Sequence, residues 1–533
     1  MQNITLIIIL LAVVTALAEV TDKIKVPYPI LLVLAGIGIG VFPALPNITL
    51  DPETVFLIFL PPILYMAAWT TSWPDFKAAK RPITLLAIGC VIFTTCAVAW
   101  VAHFAIPGLG WPEAFVLGAI ISPPDAVAAT SATKGLGIPR RVITILEGES
   151  LVNDATGLIA YRYAVAAVVT GTFSVLEAGV QFFIVAGAGI AIGLATGLIF
   201  KWIHKITPDN PTTDTTLTFL APFVAYLSAE AMHLSGVLAV VVAGLYSNWN
   251  SSEIFSQRSR MQATSSWATA IFILNGIIFI LIGLQLPEIM KNILAEHPLS
   301  TLVKYGSIVS LAVIIGRIIW VYPSTYLPRW LSKKVRDRES YPPMNLTTVV
   351  AWSGMRGVVS LAAALALPLT IEGDLPFPNR NLIIFLTFCV IFATLVVQGL
   401  SLRPIIRWLG IKNDGHEAEE EESTRLYIAS SVIEFIEENY SLSLSDEVLA
   451  QIKTKYEIRI QRLRKDLTRH NKFDVEQINE FHRIQQELLN RERLLVIRLR
   501  KEAKISDEVL RRMEYELDLE ETRLILERGM ALT

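Results

Sequence analysis

About thirteen apolar stretches of roughly 16–29 residues crowd the first ~410 positions of this 533-residue chain, each long enough to cross a bilayer as a helix. Their limits fall at roughly 3–20, 27–44, 54–70, 83–106, 113–133, 142–170, 174–203, 215–232, 235–249, 265–286, 300–325, 346–370 and 381–408. Composition agrees: the chain is 53% hydrophobic and 18% charged, with mean hydropathy +0.50, where a soluble domain is about a quarter charged. The expectation is an all-α polytopic membrane protein. Charge is placed unevenly along it. Residues 1–410 form the transmembrane domain, and residues 411–533, dense in Glu, Arg and Lys, form a helical C-terminal tail. The net charge of −2 averages these halves and says nothing about partners.

The linkers alternate in charge. Basic ones carry Lys23 and Lys25; Lys77, Lys80 and Arg81; Lys134, Arg140 and Arg141; Lys201 and Lys205; Arg258 and Arg260; and Arg329, Lys333, Lys334, Arg336 and Arg338. The linkers between them hold chiefly Lys291 and Arg380. The positive-inside rule then places the N-terminus outside, and an odd span count places the tail in the cytoplasm. The weakest point is the pair 215–232 and 235–249, joined only by His233-Leu234. Ile4 to Val20 lacks a basic leader and a small-residue cleavage site, so it reads as a retained first span. Cys90, Cys96 and Cys389 lie in apolar runs without metal-ligand spacing and read as core residues.

Charges inside these stretches point to function, because a carboxylate at that depth is expensive and marks an ion or proton pathway. Asp154 lies in Glu149-Ser150-Leu151-Val152-Asn153-Asp154 within the sixth stretch. Ser150 and Asp154, four apart, share one helix face; Glu149 and Asn153, also four apart, share the adjacent strip. A hydroxyl, an amide and a carboxylate are hard oxygen ligands suited to dehydrated Na⁺, Li⁺ or K⁺. Only the carboxylate can also carry a proton. A site that takes a cation or a proton, but not both, is the minimal requirement for exchange. Asp154 and Ser150 are therefore the candidate ligands of a monovalent cation, and Glu149 can orient Asn153 through a hydrogen bond. The competing structural reading is a polar cluster that ties helices together.

Two stretches carry helix breakers. Pro123-Pro124 precedes Asp125 in the fifth and frees backbone carbonyls there. Gly354 and Gly357 flank Arg356 in the twelfth. Irregular backbone at membrane depth is tolerated where it lines a cavity or is buried in protein. The fifth and twelfth are seven apart, which fits two inverted six-helix repeats plus one extra helix. Asp125 then offsets positive half-helix N-termini and Arg356 negative C-termini, with direct cation contact by Asp125 the alternative. Arg162, two turns beyond Asp154, either pairs with an acid or lies near the outer end. Asn275 is a polar candidate to bond Arg356, Glu230 and His233 read as wet, and Arg317 as a packing or snorkelling residue.

The tail opens with an acidic run, His416 to Glu422, expected to be flexible. Ile452, Tyr456, Ile460 and Leu463, and Leu510, Met513 and Leu517, keep helical spacing. Ser443 with Asp446, and Ser506 with Asp507 and Glu508, resemble helix starts. A bundle packed on itself, or a regulatory or dimer-contacting module, fits this pattern. No nucleotide, metal or Ca²⁺ loop is present there, and the chain has no His-Glu-x-x-His or Gly-x-Ser-x-Gly run, which argues against an enzyme.

Four segments together resemble electroneutral Na⁺/H⁺ exchangers of the monovalent cation–proton antiporter superfamily, the group of NhaP-like and NHE-like proteins. They are Phe59-Leu60-Pro61-Pro62-Ile63-Leu64, Ser122-Pro123-Pro124-Asp125-Ala126-Val127-Ala128, Glu149 to Asp154, and Gly354-Met355-Arg356-Gly357. The resemblance spans about residues 1–410 and implies a homodimer in the cell membrane. Each protomer would hold a dimerisation unit and a six-helix bundle with two crossing broken helices that moves like an elevator. It implies Asp154 as the shared cation and proton ligand, Ser150 as co-ligand, and Asn153 with Glu149 as orienting residues. Asn153 before Asp154 resembles the electroneutral branch, so one cation for one proton is expected, serving pH homeostasis without a cofactor or nucleic acid. Two positions depart from the pattern. Pro124-Asp125-Ala126 stands where many relatives have Thr-Asp-Pro, and Met66 where many have an acid. Na⁺ or Li⁺ is the favoured ion, with K⁺ through the same residues as the alternative. An ion sensor or channel with output through the tail is the alternative of another class, although no selectivity-filter motif is visible.

Overall fold

The computed structural model describes residues 10–19, 26–41, 52–133, 136–171, 175–207, 210–339, 341–371, 375–411, 416–440 and 472–502, with short pieces at 453–454, 456–457, 460, 513 and 516–524. They fall into two compact units, Met1–Asn413 and Asp414–Thr533. Among the described residues regular structure is helical throughout, and the only extended pairing is an isolated bridge, Thr370 with Pro376.

The principal helices of the first unit are α1 (Tyr28–Gly40), α2 (Leu60–Thr70), α3 (Val91–Ala105), α4 (Trp111–Ile121), α5 (Ala126–Thr133), α6 (Arg140–Thr170), α7 (Val175–Ile206) and α8 (Pro211–Glu230). They continue with α9 (Gly236–Trp249), α10 (Gln257–Ile293), α11 (Leu299–Leu331), α12 (Met344–Trp352), α13 (Val358–Leu365), α14 (Arg380–Ala393) and α15 (Gly399–Trp408). Among the described residues, six helical stretches are long and apolar enough to cross a membrane: 80–105, 111–133, 177–206, 257–293, 299–331 and 380–408. The helix with the acidic motif, α6, is 31 residues long but is not among those six, because it carries Glu147, Glu149, Asp154 and Arg162. Its length serves crossing and its charges serve something else. Of the predicted first stretch, only Leu10–Glu19 lies within the described residues.

Local chemistry sets the boundaries. Pro123 and Pro124 have no N–H to give, so α4 stops at Ile121 and α5 starts afresh at Ala126. Asp125 restarts the helix by accepting the Val127 amide at 2.8 Å. Gly354 and Gly357 bracket the unwound stretch 353–357 between α12 and α13. Pro61 and Pro62 sit in the first turn of α2, separate from the preceding helix Pro52–Ile58. Between α8 and α9, His233 takes a left-handed turn at φ 56°. Ser235 caps α9 by accepting the Leu238 amide at 3.3 Å. Two helices outrun their predicted apolar cores, α10 at 37 residues and α11 at 33, because polar ends at Arg258, Arg260 and Arg329 continue the helical turns.

Close packing fixes one crossing in particular. α1 lies against α10 at Gly36 and Gly283: a Cβ on Gly36 would strike the Ile280 carbonyl, and one on Gly283 the Val33 carbonyl. Small residues let the two backbones touch, the usual device where lipid offers no hydrophobic gain. α4 packs on α3 and α6, while α9 packs on α2 and α7.

In the second unit, α16 (His416–Tyr440) begins inside the acidic run. The expected flexible opening is therefore helical from His416, and a run of glutamates at a helix N-terminus is favoured by its dipole. α17 (Lys472–Lys501) places Leu489 and Val496 in a small apolar cluster with Leu517 and Leu524. Arg493 ties the same segments through Asp518 and Glu521, each at 2.7 Å. Ile452, Leu463, Leu510 and the starts at Ser443 and Ser506 lie outside the described residues.

Candidate cation site at the crossing of two broken helices

The two unwound segments meet each other. The Asp125 amide donates to the Met355 carbonyl at 2.7 Å, so the fifth and twelfth predicted spans are fastened backbone to backbone. Gly357 lies against the Asp125 carboxylate so closely that any Cβ there would overlap it. Asp125 thus sits at the N-terminus of α5, where the free amides carry partial positive charge. Arg356, 1% exposed, closes the opposite ends. Its Nε donates to the Ile121 carbonyl at 2.9 Å and a terminal nitrogen to the Ser122 carbonyl at 3.1 Å, both at the end of α4. Its other terminal nitrogen donates to the Gly354 carbonyl beside the end of α12. The Arg356 amide donates to Thr394 Oγ1 at 3.0 Å. Asn275 is not among the partners of Arg356, and carbonyls fill the role for which that amide was a candidate.

α6 supports the crossing from the side. Asn153 Nδ2 donates to the Pro124 carbonyl at 2.8 Å, satisfying an acceptor that the proline pair leaves free. Ser150 Oγ accepts the Ala126 amide at 3.2 Å, at the start of α5. The Asn153 side-chain oxygen is buried without a partner. Asp154 is 6% exposed. Among the described residues no donor bonds its carboxylate, and its charged neighbour is Asp125.

Glu149 and Arg317 differ from expectation. Glu149 does not bond Asn153; both its oxygens accept from Arg317, at 2.5 and 2.8 Å. Arg317 is neither snorkelling nor in contact with lipid: its side chain is fully enclosed, and it donates also to the Val350 carbonyl at 3.1 and 3.3 Å. The missed signal was the one used for Arg356, a base inside an apolar helix with no short route out. Arg162 stands apart from this cluster. It pairs with Glu230 at 2.7 Å, with 48% and 29% of the two side chains exposed, so the acid read as merely wet has a partner. No cluster of three His, Cys, Asp or Glu suited to a metal occurs among the described residues, so hydroxyl, amide and backbone oxygens must complete any cation shell.

Charge accounting now isolates one group. Glu149 and Arg317 cancel as a bidentate pair. Asp125 and Arg356 rest on helix ends of opposite sign. Among the described acids of this site, the Asp154 carboxylate is the one buried without compensation. Two broken helices crossing beside such a carboxylate define a membrane carrier of small cations.

The description "Sodium/hydrogen exchanger, transmembrane" belongs to the family that matches residues 8–408, and the chain is a member of that family, of the NhaP-like monovalent cation–proton antiporter type. An uncharacterized Na⁺/H⁺ exchanger of Mycobacterium bovis is 33% identical over 530 residues, covering 98% of this chain and 96% of the relative. The uncharacterized Na⁺/H⁺ exchanger YjcE of Escherichia coli is 30% identical and covers 98% of each. A Bacillus pumilus protein named sodium, potassium, lithium and rubidium/H⁺ antiporter is 34% identical over 71% of this chain and 57% of its own length. The fold resembles that of the sodium proton antiporter MjNhaP1 from Methanocaldococcus jannaschii, with TM-score 0.60 at 20% identity over 77% of this chain and 99% of that one.

Proposed function

We propose that this protein exchanges one monovalent cation for one proton across the cell membrane, with both competing for Asp154. The observation that carries this reading is that Asp154, among the described acids of the site, is buried without a compensating charge. An uncompensated charge is costly to move through a low-dielectric interior. The carrier therefore reorients with Asp154 occupied by a proton or by a cation, and the empty return is blocked. Since either occupant neutralises the same charge, the cycle moves no net charge.

Ser150 and the unpartnered Asn153 oxygen, on the same helix as Asp154, are the hard ligands favoured to complete a cation shell. Asp125 acts chiefly on the end of α5, and the Glu149–Arg317 pair keeps α6 in place. Na⁺ and Li⁺ are the favoured ions. K⁺ is a second reading that rests on the absent Thr hydroxyl before Asp125 and on the Bacillus relative whose name includes potassium. Lipid contact along the exposed apolar side chains of α7, such as Phe183 and Trp202, assembly as a homodimer and a cytoplasmic tail belong to the same proposal.

Proteoliposomes with a preset pH gradient test it, with Na⁺, Li⁺ and K⁺ added in turn and the voltage clamped or free. Cation-dependent proton movement that ignores voltage is expected. Movement that follows the voltage would defeat the one-for-one exchange, and no movement with any of the three ions would defeat the activity.

A further inference from the structure

A cleft of about 80 Å³ opens where the end of α11, the start of α6 and α12 converge. Leu85, Val142, Ile145, Leu346 and Val350 line it together with Arg81, Arg141 and Arg329. Arg81 and Arg141 are both near enough to Arg329 to act on its charge. One carboxylate answers two of the three guanidiniums: Glu339 Oε2 accepts from Arg329 at 2.8 Å and from Arg81 at 3.2 Å. Arg141 has no ion-pair partner among the described residues.

The second observation is a donor with nowhere to go. Arg329 is 4% exposed. One terminal nitrogen bonds the Thr325 carbonyl and the other Glu339, yet its Nε is buried without an acceptor. A buried N–H left unpaired is the exception in folded proteins and calls for an unseen partner. That partner must be an acceptor, and beside three guanidiniums an anion is the favoured one. The cleft, about 80 Å³ and partly open to solvent, has room for several waters and so for a tetrahedral oxyanion. Depth narrows the class further. Trp330, the next residue, is 71% exposed, and exposed tryptophans at helix ends sit at headgroup level.

We propose that this cleft binds the phosphate of an anionic ligand, held by Arg81, Arg141 and Arg329, the phosphate coming from a lipid headgroup or from free phosphate. The apolar lining residues would lie along the glycerol and upper acyl chain in the first case. The cleft also touches the carrier's own scaffold, because Val350 on its wall supplies the carbonyl that Arg317 uses while holding Glu149. An occupant therefore braces the segment that positions α6.

The test is a binding measurement, so it stands or falls separately from transport. The melting temperature of the full chain would be followed in neutral micelles at constant ionic strength and constant Na⁺. Inorganic phosphate replaces chloride in one arm, and phosphatidylglycerol replaces phosphatidylcholine in the other. A saturable upward shift is expected in at least one arm. Phosphatidylglycerol alone identifies the lipid as source, and a shift with inorganic phosphate identifies the free anion. Arg141→Glu should remove at least half of that shift, while Lys205→Glu, the same charge change at an exposed site away from the cleft, should keep it. Leu346→Trp, which fills the cleft, should also remove it and serves if Arg141→Glu fails to fold. No shift in either arm, or an equal shift in wild type and both cleft variants, overturns the proposal.

Discussion

Asp154 and Glu149 are both buried acids five residues apart on one helix, yet they answer opposite questions. Asp154 lacks a partner, so Asp154→Asn removes a charge the fold does not need. Exchange should fall to the level of empty vesicles while the melting temperature holds or rises, since an uncompensated buried charge is costly. A folded variant that still exchanges would move the shared ligand elsewhere. Glu149 has a partner, so Glu149→Ala strands Arg317 and should destabilise the protein by about 3–5 kcal/mol, as removal of one member of a buried pair does. The double variant with Arg317→Met should recover part of that loss in the same melting experiment. Competition at Asp154 also has a sign in pH: protons displace the cation. Half-saturation for the cation should rise about tenfold for each unit of acidification once the proton dominates the site; a value constant with pH would mean separate sites. The sequence made Asp154 legible because a carboxylate in an apolar run has few other uses. It hid the role of Arg317, whose meaning lies in Glu149, 168 positions away, and no local pattern joins the two.

At the scale of elements, the broken helices were legible from Pro123-Pro124 and from Gly354 with Gly357, since each leaves the backbone unable to continue a helical ladder. Their mutual contact was not legible, because it is made by backbone groups and by the absence of a side chain at Gly357. Gly357→Ala places a methyl on the Asp125 carboxylate. It should cost about 1–3 kcal/mol, as overpacking does, and slow exchange even though it removes no ligand; normal transport rates would show that the crossing gives way freely. The expected bond from Asn275 to Arg356 failed for a related reason. Carbonyls exposed at the end of α4 are acceptors that a count of side chains overlooks. The long polar ends of α10 and α11 were cut short because a window that seeks apolar residues stops where charge begins.

For the whole molecule, division into Met1–Asn413 and Asp414–Thr533 predicts that the carrier is complete without its tail. A chain ending at Asn413 should fold, insert and exchange cations, because every group placed at the candidate site lies before that point; loss of exchange on truncation would make the tail part of the machine. The membrane unit was legible as a class from its apolar runs, whereas among the described residues of the tail the apolar cluster of Leu489, Val496, Leu517 and Leu524 is too sparse to stand out in sequence. The contact of Gly357 with the Asp125 carboxylate has a bearing on how such a protein can diverge. Position 125 and position 357 occupy one another's space, so neither can drift alone. A larger residue at 357 has to wait for a shorter one at 125, and a shorter one at 125 would leave the start of α5 without its acceptor. Positions 125 and 357 are therefore coupled, whereas an exchange of side chain at Ser150 or Asn153 on α6 alters the ligand set at the cost of a bond to the start of α5 or to the Pro124 carbonyl.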